Sequence, residues 1–287
     1  EAKNILLEAT NNFPDYLESR VELSWCLVKM GDLDKGRQGL LACVEQAQGN
    51  SIRNLEMRAL LDWRIAESFR HEETEENVEQ EYKYLVQALK ESPNFAPAYT
   101  SLGLLYQDHY QDQERAQKCF YKAFELDVAE ITSARYLVQD LAEREDWDIA
   151  EILCRRIVSS DRLRRVLLTK KSVEDRSWPY RVLGCLALNK QEDSKAVEWF
   201  QTALRMASMD HQCWLGLGEA YYNCGRLDAA AKVLIHASGM IEDNPWEVNY
   251  LLGKVMSEMG SYEAAAGYLK NALASSPKEE CVVNLLY

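Results

Sequence analysis

A pattern of large and small side chains returns about every 34 residues along this chain, and it constrains the fold more than any other feature. From Trp214 the chain reads Trp214-x2-Leu217-Gly218-x2-Tyr221, followed by Ala230, Leu234 and Ala237. One period earlier stand Tyr180, Leu183, Gly184, Ala196, Phe200 and Ala203; one period later stand Leu252, Gly253, Ala265, Leu269, Ala272 and Pro277. Tyr99, Leu102, Gly103, Tyr106, Ala116, Phe120 and Ala123 give a fourth register, with one residue inserted in the turn. Weaker copies run through Leu23, Leu27, Gly31, Leu40 and Cys43, and through Leu137, Leu141, Ala150, Cys154 and Ile157. A degenerate copy extends from about Trp63 to Pro93, stretched by the acidic insertion His71-Glu72-Glu73-Thr74-Glu75-Glu76. A unit of this length cannot close its own apolar face, so such chains bury it by stacking neighbours.

These residues are the signature of the tetratricopeptide repeat (TPR), a helix–turn–helix unit. The expected fold is an all-α TPR solenoid, coiled as a right-handed superhelix, of about seven repeats with half-repeats at both ends. The array divides into a half-repeat at 1–16, repeats at 17–50, 55–95, 96–130 and 131–164, a basic insertion at 165–176, repeats at 177–210, 211–245 and 246–279, and the start of another at 280–287. The apolar ends of the array, at Leu6 and Leu285–Leu286, predict a piece of a longer solenoid. Composition agrees, since 47% of residues are hydrophobic while only 13 are Gly and 6 are Pro, too few turn-formers for an all-β chain. Each register position has a packing reason. The Leu–Gly pair lets the second helix of a repeat approach the first closely, Ala196, Ala230 and Ala265 keep that approach short, and Phe200 or Leu234 fills the space beyond. Gly31, Gly225 and Gly260 fall at the intra-repeat turn, where a left-handed helix cap suits glycine.

Charge and cysteines narrow the function. With 33 Lys+Arg against 46 Asp+Glu, the formal net charge of −13 disfavours broad binding to nucleic acid or anionic membrane. No apolar run is long enough to span a bilayer. The eight cysteines are scattered without a CxxC pair, as expected of reduced thiols in a cytoplasmic protein, with a nuclear pool possible. No P-loop, dinucleotide fingerprint, HExxH or nucleophile elbow occurs, so no catalytic residue, metal site or cofactor is expected. His211 and Cys213 are close in sequence but do not face one another on a helix. Trp25, Trp147, Trp199 and Trp214 fall at helical spacing with Leu and Ala and read as core.

The first helices of TPR units line the inner face of an array. Register places Trp25, Lys29, Arg135, Tyr136, Gln139, Trp178, Arg181, Tyr222, Asn223, Tyr250 and Lys254 there as candidate partner contacts. Tyr and Arg are the usual interface anchors; the alternative is an ordinary wet helical surface, and for Trp178, at a helix start, core packing is the other reading. A second candidate is the basic stretch from Arg155 to Arg181, nine cations against three carboxylates, in which Arg162, Arg164 and Arg165 could dock an acidic partner or an RNA phosphate. The alternative is a loop paired with neighbouring acidic repeats.

The stretch Ser177-Trp178-Pro179-Tyr180-Arg181-Val182-Leu183-Gly184-Cys185, with Ala196-Val197-Glu198-Trp199-Phe200-Gln201-Thr202-Ala203-Leu204-Arg205 and Trp214-Leu215-Gly216-Leu217-Gly218-Glu219-Ala220-Tyr221, resembles the TPR scaffold subunit of the fungal superkiller (Ski) complex. Phe13-Pro14-Asp15-Tyr16-Leu17-Glu18-Ser19-Arg20 and Trp25-Cys26-Leu27-Val28-Lys29-Met30-Gly31 are similar to it as well. The resemblance implies a non-catalytic scaffold that binds a DExH-type RNA helicase and a β-propeller subunit. It would couple them to the cytoplasmic exosome for mRNA decay and surveillance, with the ribosome an indirect partner and direct RNA contact not expected. Two other readings remain: a TPR subunit of a ubiquitin-ligase or acetyltransferase assembly, or a co-chaperone module. The Lys and Asn of a co-chaperone carboxylate clamp are missing; Val21, Thr100, Leu215 and Tyr250, then Trp25, Leu104, Cys185 and Glu219, stand in those places.

Overall fold

The computed structural model describes residues 2–14, 16–70, 74–128, 130–160, 177–240 and 246–275. Among them are fifteen α-helices and no strand. Packing divides the chain into two compact units, residues 1–140 and 141–287.

The first unit contains α1 (Ala2–Asn12), α2 (Leu17–Lys29), α3 (Leu33–Gln46), α4 (Ile52–Phe69), α5 (Glu75–Glu91), α6 (Ala96–Asp108), α7 (Gln113–Leu126) and most of α8 (Ile131–Glu143). Within it α2 pairs with α3, α4 with α5 and α6 with α7, while α3 also packs on α4 and α5 on α6. Side-chain caps set three of these helix starts. Ser51, Thr74 and Asp112 each accept a hydrogen bond from a backbone N–H in the first turn of α4, α5 and α7. Each satisfies a donor the helix cannot satisfy internally. The Ser51 cap starts α4 at Ile52, upstream of residue 55 where the register alone opens that repeat.

The second unit contains α9 (Trp147–Val158), α10 (Trp178–Asn189), α11 (Asp193–Met206), α12 (His211–Asn223), α13 (Leu227–Gly239), α14 (Trp246–Glu258) and α15 (Tyr262–Ser275). Here α10 pairs with α11, α12 with α13 and α14 with α15, and each pair packs on the next. Asp210 caps α12 by accepting from the N–H groups of Gln212 and Cys213, and Pro179 stands in the first turn of α10. Lys190 at the end of α10 reaches back to Asp148 (3.3 Å) and Glu151 (2.7 Å) on α9.

In both units the repeat pattern becomes a steric lock between paired helices. A methyl group built on Gly103 would lie 2.6 Å from the Phe120 ring, and one on Gly184 2.8 Å from the Phe200 ring. On Gly218 and Gly253 it would lie 2.4 Å and 2.6 Å from Leu234 and Leu269. Phe200 is held from a second side by Gly216 of the next repeat, where an added methyl would approach to 2.4 Å. The ring is fully buried, a contribution of about 1.5–3 kcal/mol. Leu40, Leu85, Phe120, Cys154, Leu234 and Leu269, at the same register position, are likewise buried.

The intra-repeat turns share one geometry. Gly31, Gly225 and Gly260 have φ of 90°, 70° and 77°, the left-handed region expected for them. Gln111, Glu145 and Gln191 adopt φ of 51°, 63° and 58° at the corresponding turns, so the architecture imposes the bend where glycine is absent. Trp147 departs from the sequence expectation. It opens α9 and is 42% exposed, whereas Trp25, Trp199 and Trp214 are partly buried against their clusters.

If the Gly–Phe lock dominates repeat stability, Gly184→Ala should destabilise the protein by about 1–3 kcal/mol in urea unfolding. Adding Phe200→Leu should recover part of that loss, a non-additivity that two independent sites would not show.

Candidate partner-binding surface

The second unit brings four of the register-derived residues into one cluster. Tyr222 is near the end of α12, and Tyr250 and Lys254 are one turn apart on α14. The Lys254 ammonium lies 4.7 Å from the Tyr222 ring centroid and 5.7 Å from that of Tyr250, which are cation–π distances. The Tyr222 hydroxyl donates to Glu258, and Tyr250 tilts against Trp246 with centroids 6.3 Å apart. Burial, and then the Glu258 carboxylate, push the Tyr222 hydroxyl up to about 12, so it remains a donor at physiological pH. Asn223 next to it donates to Asp193 at 2.9 Å. Glu219, one turn before Tyr222, completes the cluster; burial raises its carboxyl, and Lys254 partly offsets that. These half-buried and exposed side chains already hold one another in position, so a partner would meet a pre-organised surface.

Elsewhere the register residues separate. Arg181 on α10 forms an ion pair with Asp210 at 3.0 Å, tying it to the cap of α12. Tyr136 on α8 stacks on Phe120 with centroids 5.0 Å apart and planes at 6°, which makes it a packing residue on one face. Arg135 beside it is exposed. Trp178 corrects the sequence reading. As the first residue of α10 it turns inward, is only 4% exposed, and offers no surface to a partner. Arg162, Arg164 and Arg165 lie outside the described residues.

Register reading missed several charged residues of these surfaces. Asp193, which accepts from Asn223, opens the second helix α11 and so carries no lining mark, whereas Glu258, which accepts from Tyr222, stands four residues after Lys254 in the register place of Asn223 and could have been found there. In the first unit Trp63 links Trp25 (5.7 Å) to Phe95 (6.0 Å) and donates its indole N–H to Ser101. Lys29 lies 4.5 Å from the Trp25 ring.

Perturbed titratable groups, the usual marks of chemistry, have structural causes here. Burial raises the thiols of Cys43, Cys119, Cys154, Cys185 and Cys213, the reverse of what activates a nucleophile. His236 packs against Trp214 at 4.5 Å. Among the described residues no group of three His, Cys, Asp or Glu side chains is placed to hold a metal ion. No described helix is long and apolar enough to cross a membrane. Burial also pushes the carboxyls of Asp62 and Glu81 up to about 7. Glu81 stands where the other registers have Gly36, Ala116, Ala196, Ala230 or Ala265, a departure visible in the sequence. It is 1% exposed, with Arg70 at 3.9 Å.

Helix pairs locked by glycine and packed pair upon pair define a class: the chain is an all-α TPR solenoid. The tetratricopeptide repeat family matches residues 181–234. Over nearly all its length the chain is a homologue of superkiller protein 3, being 32% identical to that of Saccharomyces cerevisiae over 98% of this chain and 36% identical to that of Schizosaccharomyces pombe over 97%. It spans 20% and 19% of the lengths of those relatives. Superkiller complex protein 3 of Homo sapiens is 28% identical over 70% of this chain. Among solved structures, pilF of Pseudomonas aeruginosa matches with a TM-score of 0.57 at 17% identity, covering 80% of this chain and 97% of its own. The APC/C Cut9–Hcn1 assembly matches with a TM-score of 0.51 at 16% identity, covering 99% of this chain and 51% of its own. These two likenesses concern the fold alone.

Glu81 makes stability depend on pH in a definite direction. Its folded-state carboxyl titrates near 7, above the ordinary value of 4.5, so the folded protein binds the extra proton and loses stability as pH rises between those values. Glu81→Gln should therefore be more stable than the wild type by about 1–3 kcal/mol at pH 8 and show little gain near pH 4.5, measured by urea unfolding at both.

Proposed function

We propose that this chain is a non-catalytic scaffold segment of a superkiller assembly. It presents its first-helix faces to a DExH-type RNA helicase and a β-propeller subunit, and so helps couple them to the cytoplasmic exosome for 3′–5′ mRNA decay. The observation that carries this reading is 32–36% identity to superkiller protein 3 across 97–98% of the chain. The Tyr222–Lys254–Tyr250 cluster supports it, because aromatic and cationic side chains held in place before binding are what an interface anchor needs.

Affinity purification of the tagged full-length protein, followed by mass spectrometry, tests the proposal. The wild type should recover helicase and propeller subunits, and Tyr250→Ala with Lys254→Ala should reduce at least one of them about tenfold, the loss expected from removing one interface anchor. Recovery of chaperones or ubiquitin-ligase subunits instead would overturn the assignment.

The basic stretch adds a separate expectation. Neutralising Arg162, Arg164 and Arg165 to Gln should weaken assembly more at low salt than at high salt, since exposed charges are screened beyond about 10 Å at 0.1 M. Assembly unchanged at both salt concentrations would leave those arginines without a docking role.

A further inference from the structure

The α5–α6–α7 edge of the first unit carries two rings, Tyr82 and Tyr110, that neither core packing nor the repeat register accounts for. Tyr82 on α5, Tyr106 near the end of α6 and Tyr110 in the following turn form a triad of touching rings. Tyr82 meets Tyr106 at 6.4 Å and 71°, and Tyr110 at 6.2 Å and 75°; Tyr106 and Tyr110 lie 5.7 Å apart at 50°. Only Tyr106 packs against the hydrophobic cluster beneath. Tyr82 and Tyr110 remain 37% and 47% exposed, so two adjacent rings present area to solvent. The triad already takes one guanidinium from within the chain, since Arg115 lies 5.7 Å from the Tyr106 ring.

The charges around these rings favour cations. Glu79 stands one helical turn before Tyr82 and Glu75 two turns before it, and Asp108 lies between Tyr106 and Tyr110; all three are exposed. The nearby cations Arg115 and Lys118 are paired with Asp112 (3.2 Å) and Glu114. Lys83 leaves α5 about 100° around the helix from Tyr82. A polyanion would meet these carboxylates and a net charge of −13.

We propose that this tyrosine edge docks an arginine-bearing protein segment, with guanidinium planes stacked on Tyr82 and Tyr110 and their N–H groups donated to Glu79 and Asp108. Arginine suits the surface better than lysine. Its flat, weakly hydrated cation can stack on a ring and reach a carboxylate in the same pose, whereas an ammonium makes a point contact. The proposal is independent of the complex to which the scaffold belongs.

Fluorescence anisotropy on the whole chain tests it, with labelled nonapeptides of three Arg-Gly-Gly or three Lys-Gly-Gly triplets and a labelled oligouridine as probes. The arginine peptide should bind about fivefold or more tightly than the lysine peptide. Tyr82→Ala with Tyr110→Ala should weaken it about tenfold, the combined effect of two exposed cation–π contacts. Tyr82→Phe with Tyr110→Phe should stay within about twofold, because the rings carry the contact. Glu79→Lys, a surface change that keeps all three rings, should weaken binding about fivefold, and it decides the matter if the alanine pair lowers the melting temperature. Wild-type affinity in the alanine pair or in Glu79→Lys would overturn the proposal. So would equal affinity for the two peptides, or tighter binding of oligouridine.

Discussion

The close approach of two helices at a residue without a side chain is the contact on which each locked repeat depends. Gly103, Gly184, Gly218 and Gly253 leave room for one large group, Phe120, Phe200, Leu234 or Leu269, and no other atom can occupy that space. Burial of that group stabilises a helix pair that would be marginal alone, since short isolated helices are unstable in water. Phe200 extends the principle from one repeat to the next, because Gly184 and Gly216 hold it from two sides. Local packing and the stacking of neighbours are thus the same interaction viewed from different helices.

A scaffold of this kind leaves its first-helix faces with side chains that are not needed for the lock. In the second unit those side chains satisfy one another. Lys254 sits over two tyrosine rings, Tyr222 donates to Glu258, and Arg181 braces the Asp210 cap. Such pairing reduces the entropy a partner must remove on binding, and it also limits which charges remain to attract one. In the first unit the α5–α6–α7 edge keeps two touching rings, Tyr82 and Tyr110, outside the buried cluster.

The helix pairs were legible from periodicity, because the register names the residues that must be small and those that must be large. Burial of Leu40, Phe120, Phe200, Leu234 and Leu269 follows directly from that pattern. The candidate surface was legible only in part. Tyr222, Tyr250 and Lys254 lie close together, which the register did not state, while Trp178 turned inward and Tyr136 became a packing residue on Phe120. A lining position states which way a helix face points. It does not state whether the side chain there finds a neighbour to cover it.

What the amino-acid order determined by itself is the repeat: its length, its locks and its turns. These are contacts between residues a fixed distance apart in the chain, and a short-range pattern can encode them. Tertiary structure alone decided which polar side chains pair across helices, such as Asn223 with Asp193 and Arg181 with Asp210. It likewise decided that Tyr82, Tyr106 and Tyr110 meet. Those outcomes depend on the angle and separation at which successive helices pack, which no single residue specifies.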